Sequence, residues 1–256
     1  MQIFKKIFLK KKSLYTLSPK NFNHKKWISL TKNRIQDNYK KIKSKKFSEY
    51  TISSPLLLIA LLQFKNKKLR ILDVGSGDLK SYFTIYKYRN FFKQIFFHSI
   101  ELSKIVQLYK GYNFLNKGNK ISFTTSEEIK NKKYDIIHIS DSLHYISDWR
   151  ISLKKIIKLS PKYIIINSTR AGKIPTFASF QNFYKAEVPT WFFNEKEILS
   201  LFKKRYTLLY NEEFINTILG NFGKLPMDNF DKKFKIENSK SFIFIIKNII
   251  NKKINV

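Results

Sequence analysis

Residues Ile71-Leu72-Asp73-Val74-Gly75-Ser76-Gly77-Asp78-Leu79 read as a buried strand that runs into a glycine turn and then a helix. The chain has seven glycines and none before position 75, so two of them directly after an apolar run are not a product of composition. A parallel strand that turns sharply lets backbone amides approach a ligand only where side chains are absent, and the following helix presents its positive N-terminal end. A nucleotide cofactor is the ligand such a turn suits; an ordinary tight strand-to-helix connection is the plainer alternative. The dinucleotide fingerprint needs a third glycine three positions after the second, and that position is Lys80.

Working outward, the pattern predicts a helix to about Asn90 and a second strand, Gln94 to Ile100, that ends at Glu101. An acid there, 28 residues after Asp73, can accept both hydroxyls of a ribose. It can equally cap the helix that starts near Ser103. Further strands are expected over Ile121–Thr125, Tyr134–Ile139, Tyr163–Asn167, Arg205–Tyr210 and Ser241–Ile246. Trp149, Leu153, Ile156 and Ile157 mark one face of a helix that Asp148 can cap and Pro161 closes. Asn194 and Glu197 have capping-box spacing, bracketed by Phe193 and Ile198 as a hydrophobic staple. Seven strands with helices between the first five predict an α/β fold, a doubly wound Rossmann-like sheet. Residues 1–67 are expected to form an N-terminal helical extension and residues 68–256 the sheet domain. The run Pro55 to Leu62 is too short to span a membrane and reads as a buried helix beside the sheet or over its cleft.

Composition removes several chemistries. With no cysteine there is no disulfide framework, zinc–thiolate site, iron–sulfur cluster or cysteine nucleophile. The four histidines, His24, His98, His138 and His144, lack metal-ligand spacing, so no metal is expected. A formal charge of +32 would ordinarily argue for nucleic acid. All but six of the 50 basic residues are lysine, however, scattered along the chain among abundant Ile, Asn, Phe and Tyr. That usage matches an AT-rich genome and lowers the weight of charge as a sign of partner. Residues 1–12 alternate apolar and lysine residues and could lie on an anionic membrane surface, with a frayed or docked helix as the alternative. The expected setting is cytoplasmic, with peripheral contact at the inner membrane face as an option.

Asp73 with Gly75 and Gly77 forms the Asp/Glu-x-Gly-x-Gly pattern of class I S-adenosylmethionine (SAM) methyltransferases, which this chain resembles. The resemblance implies SAM as cofactor, held by Asp73, Gly75, Ser76, Gly77, Glu101, Leu102 and Ser140, with Ser126 or Glu127 near the adenine. It also implies that the last strand enters the sheet antiparallel. One departure stands out: the family usually has a third glycine where Leu79 stands, which predicts a slightly wider turn.

The acceptor should meet the carboxyl ends of the fourth and fifth strands. The Asn/Asp-Pro-Pro-aromatic turn of amino-directed nucleic-acid methyltransferases is absent; Ser140-Asp141-Ser142-Leu143-His144-Tyr145 stands in its place. Asp141 or His144 could deprotonate a hydroxyl, His144 being read as the only histidine at this end of the sheet. A capping Asp and a structural His are the plain alternative. Thr169 to Phe193 reads as a long connection whose Arg170, Gln181, Asn182, Tyr184, Glu187 and Trp191 suit a sugar, and Asn211 to Lys240, with Gly220, Gly223 and Pro226, as a candidate lid. The set Ser142 to Trp149, Pro161-Lys162-Tyr163, Phe180 to Tyr184 and Val188-Pro189 is similar to a bacterial family of SAM-dependent methyltransferases associated with surface-polysaccharide biosynthesis. That resemblance implies O-methylation of a glycan or a small hydroxylated metabolite. An RNA methyltransferase and a SAM-binding protein without transferase activity are the alternatives.

Overall fold

A computed structural model describes residues 25–44, 55–112, 120–125, 133–183, 186–214, 216–218 and 221–247. In chain order the elements are α1 (Lys25–Lys43), α2 (Pro55–Leu62), β1 (Lys68–Val74), α3 (Lys80–Lys87), β2 (Gln94–Ile100), α4 (Ser103–Lys110), β3 (Lys120–Thr124), β4 (Ile136–Ser140), α5 (Trp149–Lys158) and β5 (Tyr163–Thr169). Then follow β6 (Ala171–Gly172), β7 (Phe177–Phe183), β8 (Ala186–Asn194), α6 (Glu195–Phe202), β9 (Tyr206–Phe214), β10 (Asn216–Ile218), β11 (Asn221–Gly223) and β12 (Ser239–Ile246). Seven strands form one sheet in the order β3-β2-β1-β4-β5-β12-β9. Strand β1 pairs parallel with β2 and β4, β2 pairs parallel with β3, and β12 runs antiparallel to β9. This is the doubly wound α/β sheet that the alternation predicts.

The chain divides into two compact units. The first holds Lys25–Ser140 and Leu159–Ile165. In it β1 buries Leu69, Ile71, Leu72, Asp73 and Val74, the near-continuous burial expected of a parallel strand covered on both faces. Tyr82 of α3 packs edge-on against Phe97 of β2, ring centroids 5.5 Å from Phe83 and 5.4 Å from Phe97. Helix α1 buries Thr31, Ile35 and Asn38, spaced one helical turn apart, and Asn38 Nδ2 donates to the carbonyl of Asp78 at 3.4 Å. Helix α2 buries Leu56, Leu57, Ala60 and Leu61 but leaves Ile59 and Leu62 exposed, so only one face is covered, where the sequence predicts a buried helix.

The second unit holds Asp141–Lys158 and the chain from Ile166 onward. Trp149, Leu153, Ile156 and Ile157 of α5 are buried as their spacing predicts, with Trp149 edge-on to Phe193 at 4.9 Å. The expected long connection from Thr169 to Phe193 is instead a three-stranded sheet, β6-β8-β7, whose β7–β8 hairpin pairs Phe177 with Phe192 and Phe183 with Ala186. Ser179, Gln181 and Thr190 break the apolar alternation and hide these strands from a reading by pattern. Pro189 is tolerated because β6 reaches only Phe193 and Asn194 of β8, leaving the proline opposite a single neighbour. The expected lid is likewise corrected. Strand β9 runs on to Phe214, and the chain beyond β11 buries Leu225, Met227, Phe230 and Phe234 against Phe177 and Phe192. The capping box does not form: Asn194 occupies the N-cap of α6, but its Nδ2 donates to the carbonyl of Ile174 at 2.8 Å. Glu195 and Glu197 in the first turn complement the helix dipole in its place.

Leu79 answers the departure from the glycine pattern. It takes φ 60° and ψ 24°, the left-handed conformation that favours glycine, with its side chain fully buried. Left-handed backbone costs a leucine ~1–2 kcal/mol, whereas deleting a buried leucine side chain costs ~3–5 kcal/mol. Leu79→Gly should therefore destabilise the protein by about 2 kcal/mol in urea denaturation. A more stable variant would mean that backbone strain outweighs packing here.

Candidate functional site

The glycine turn at the carboxyl end of β1 is built from two positive-φ glycines, Gly75 at 76° and Gly77 at 53°. No L side chain adopts these angles without cost, which is why glycine stands at both positions. The Gly75 N–H donates to the carbonyl of Ile100 at 2.9 Å, which ties the turn to the end of β2. The peptide groups of Gly77 are clamped from both sides. Its N–H donates to Glu101 Oε1 at 2.7 Å, and the buried Tyr109 hydroxyl donates to its carbonyl at 2.6 Å. A Cβ placed on Gly77 would meet nothing within 4 Å, so the turn presents bare backbone to open space.

Glu101 therefore sits against the turn, where the sequence places it. Its Oε2 accepts the Leu102 N–H at 3.0 Å, and Leu102 is the N-cap of α4. Each oxygen retains a second lone pair. Burial pushes its carboxyl up to about 7; the N–H groups of Gly77 and Leu102 oppose that rise and the nearby Asp73 adds to it. Ser76 is buried, with its hydroxyl 3.4 Å from the carbonyl of Asp73, and Ser140 ends β4, half-buried.

Beneath the turn lies a pair that the sequence does not announce. Asp73 and His138 are register partners across β1 and β4, and His138 Nδ1 lies 2.8 Å from Asp73 Oδ1 and 3.3 Å from Ser81 Oγ of α3. All three side chains are buried. Asp73 Oδ2 and His138 Nε2 have no hydrogen-bond partner among the described residues. The reading of His144 as the only histidine at this end of the sheet is thus corrected. Counting back from the ends of the two strands would have found His138, had their register been known.

In the second unit, Asp141 follows β4 with φ 51° and an exposed side chain, its N–H donating to the carbonyl of Asn167 at 3.1 Å. Leu79, Asp141 and Ser168 all combine positive φ with a place at or just beyond the carboxyl end of a strand or its turn, where strained backbone tends to be functional. His144 is buried within a short 3₁₀ helix, Leu143–Tyr145, with its ring 4.1 Å from that of Tyr145. Burial holds its imidazole well below the usual range, and the Arg170 charge lowers it further.

Arg170 and Gln181 are brought together, but by each other. Arg170 is buried; Nη2 donates to Gln181 Oε1 at 2.8 Å and to the Tyr145 hydroxyl at 3.0 Å, and Nη1 donates to Thr190 Oγ1. The Tyr145 hydroxyl donates to Gln181 Oε1 at 2.7 Å, and Thr190 Oγ1 to the carbonyl of His144 at 3.3 Å. These side chains brace the segment carrying His144 and Tyr145 onto the β7–β8 hairpin, a role their polarity alone does not suggest. Glu187 is exposed on β8 and Trp191 buried there. Ser126, Glu127, Tyr184 and residues 1–12 lie outside the described residues.

A cavity of about 520 Å³ lined by Arg70, Phe96, His98, Ser122, Lys133 and Tyr134 lies away from the turn. Phe97 lines it as well, and His98 within it is engaged by Tyr134 at 2.5 Å and Thr124 at 2.7 Å. Ligands of open α/β sheets bind beyond the carboxyl ends of the strands, which favours the glycine turn over this cavity. Among the described residues, no helix is long and apolar enough to cross a membrane, and no cluster of three or more acidic or histidine side chains could hold a metal.

No protein-family model and no curated protein sequence matches the chain. Solved structures do. A protein of Listeria monocytogenes assigned as an S-adenosylmethionine-dependent methyltransferase is 15% identical, with a TM-score of 0.50 over 75% of this chain and 96% of that chain. An S-adenosylmethionine-dependent methyltransferase of Clostridium acetobutylicum is 16% identical over 83% of this chain and 98% of that chain, TM-score 0.48. Magnesium protoporphyrin IX methyltransferase of Synechocystis, solved with S-adenosylhomocysteine, is 12% identical over 83% and 85%, TM-score 0.48. At these identities the likeness is one of fold, a Rossmann-like seven-stranded sheet.

Proposed function

We propose that the chain is a SAM-dependent methyltransferase that methylates a hydroxyl oxygen of a glycan or small hydroxylated metabolite. The observation that carries the cofactor is the glycine turn with open space over Gly77, flanked by the buried Asp73 and the half-buried Glu101 at the ends of adjacent parallel strands. The residues fit the group. Asp73 Oδ2 is a buried acceptor lacking a donor among the described residues, as a cofactor that carries an ammonium requires, and Glu101 keeps lone pairs for two ribose hydroxyls. A pyrophosphate would gain nothing from two acids here, which disfavours a dinucleotide.

When bound, SAM supplies an electrophilic methyl group on a sulfonium. The chain's own part is to bind, align and accept a proton, since proximity and orientation dominate such a displacement. Glu101 holds the ribose and fixes the turn through the Gly77 N–H. Gly75, Ser76 and Gly77 supply side-chain-free backbone or small groups, with Leu102 and Ser140 flanking them. Asp141, exposed beyond β4, takes the acceptor's proton, and the Arg170–Gln181–Tyr145–Thr190 network braces the His144–Tyr145 segment that follows it. The glycan class rests on the sequence resemblance over Ser142 to Pro189 and on Glu187 as an exposed polar group of the hairpin. The evenly scattered lysines give no added support to an RNA acceptor.

Calorimetry tests the reading directly: SAM and S-adenosylhomocysteine should bind and NAD should not. The pH dependence has a defined sign. Glu101 is raised from 4.5 to about 7, so its contribution to stability is fully present below 4.5 and is lost as pH rises through about 7. Ribose binding needs the carboxylate, so SAM affinity should run the other way and fall as pH drops below about 7. Compared with Glu101→Gln, the wild-type protein should lose SAM affinity between pH 8 and pH 6 while its relative melting temperature rises. A flat affinity difference across that window would detach Glu101 from the ribose.

A further inference from the structure

We propose that His138 is a positioning residue for Asp73: it holds one carboxylate oxygen so that the other is presented to the amino-acid portion of the cofactor. This rests on the SAM reading above and assigns a residue outside the glycine pattern. The starting point is energetic. A carboxylate 2% exposed is expensive to keep, and an apolar side chain among Ile71, Leu72, Ile136, Ile137 and Ile139 would be cheaper. The β1–β4 register places an imidazole directly opposite it, and the 2.8 Å contact from Nδ1 to Oδ1 requires that Nδ1 carry the proton. Ser81 Oγ, 3.3 Å from the same nitrogen, braces the ring from α3.

That bond fixes the rotation of the Asp73 carboxylate. Oδ1 is committed to His138, whereas Oδ2 is left as an acceptor with no donor among the described residues. An imidazole donating from Nδ1 thus selects which oxygen remains for a ligand. The ligand portion that suits a lone carboxylate oxygen is the ammonium of the methionine end, since the ribose hydroxyls are matched by Glu101 one strand away. The effect of His138 should therefore be confined to ligands that carry the amino-acid group.

The experiment measures binding of SAM and of 5′-methylthioadenosine, which has the nucleoside and thioether but no amino-acid group, to wild type, His138→Phe and His138→Asn. Phenylalanine keeps the ring volume and removes the donor; asparagine places an amide N–H near the position of Nδ1. The expected result is a loss of about tenfold or more in SAM affinity for the Phe variant, the range for a bond to a charged group. Methylthioadenosine affinity should change less than about twofold, and the Asn variant should recover SAM binding to within about threefold. Equal losses on both ligands, or no loss on either, would overturn the positioning role. Wild type that binds neither ligand would instead sink the SAM reading itself. Should the Phe variant fail to fold, ¹⁵N-resolved NMR of the wild-type imidazole decides, because an unprotonated Nδ1 is incompatible with the proposal.

Discussion

Gly77→Ala is expected to lose about 10- to 10²-fold in SAM affinity while the protein stays folded. The added methyl projects into open space, with no atom within 4 Å, so it clashes with nothing in the protein itself. Its cost to folding is the left-handed backbone at φ 53°, ~1–2 kcal/mol, which lowers the melting temperature by roughly 2–8 °C in a chain of this size. The cost to binding is different in origin. A cofactor seated against bare backbone must move or be excluded, and the turn cannot give way because Glu101 and Tyr109 hold the Gly77 peptide groups from both sides. An overpacked site loses ~1–3 kcal/mol, hence the fold-change expected. Valine at Gly75 is a poorer probe, since a β-branched residue at φ 76° strains the fold as well. Undiminished SAM affinity in the alanine variant would remove the glycine turn from the cofactor site.

What could be read from the sequence follows from the range of the interactions involved. The strand, the turn and Glu101 were legible because each is a local signature: an apolar run, two glycines, an acid closing the next apolar run. The Asp73–His138 pair spans 65 residues and depends on the register of two parallel strands, which no local pattern encodes. Arg170 and Gln181 were visible as polar residues in an aromatic stretch, but Tyr145 reaches them from outside that stretch and Thr190 from the other strand of an unread hairpin. Their place in a buried brace, and not on an open surface, could not be read from either one. The β7–β8 hairpin was missed for a related reason, because one face of each strand mixes Phe with Ser, Gln or Thr to serve that brace. The capping box failed for a tertiary reason: the spacing was right, yet Thr176 Oγ1 accepts the Asn194 N–H and the Ile174 carbonyl turns the Asn194 amide toward itself.

The same distinction between buried and exposed groups separates the two residues proposed to take a proton. His144 is 2% exposed and held well below the usual imidazole range by burial and by Arg170, so it stays neutral through ordinary pH and resists accepting a proton. Its contribution to stability is present above 6.5 and lost as pH falls, the opposite sense to Glu101. Asp141 has none of this burial; it stands exposed beyond β4 with a left-handed backbone at φ 51°. With SAM and a panel of monosaccharides and nucleotide sugars as acceptors, Asp141→Asn should slow release of S-adenosylhomocysteine by ~10²-fold or more, the usual share of a positioned base. SAM affinity should not change, because the substitution removes an interaction made only in the transition state. His144→Ala should act chiefly on the melting temperature, by emptying a buried site beside Tyr145. If Asp141→Asn turns over at the wild-type rate while His144→Ala loses turnover without losing stability, the roles are reversed. The buried imidazole would then have to reach the acceptor through a movement of the Leu143–Tyr145 segment.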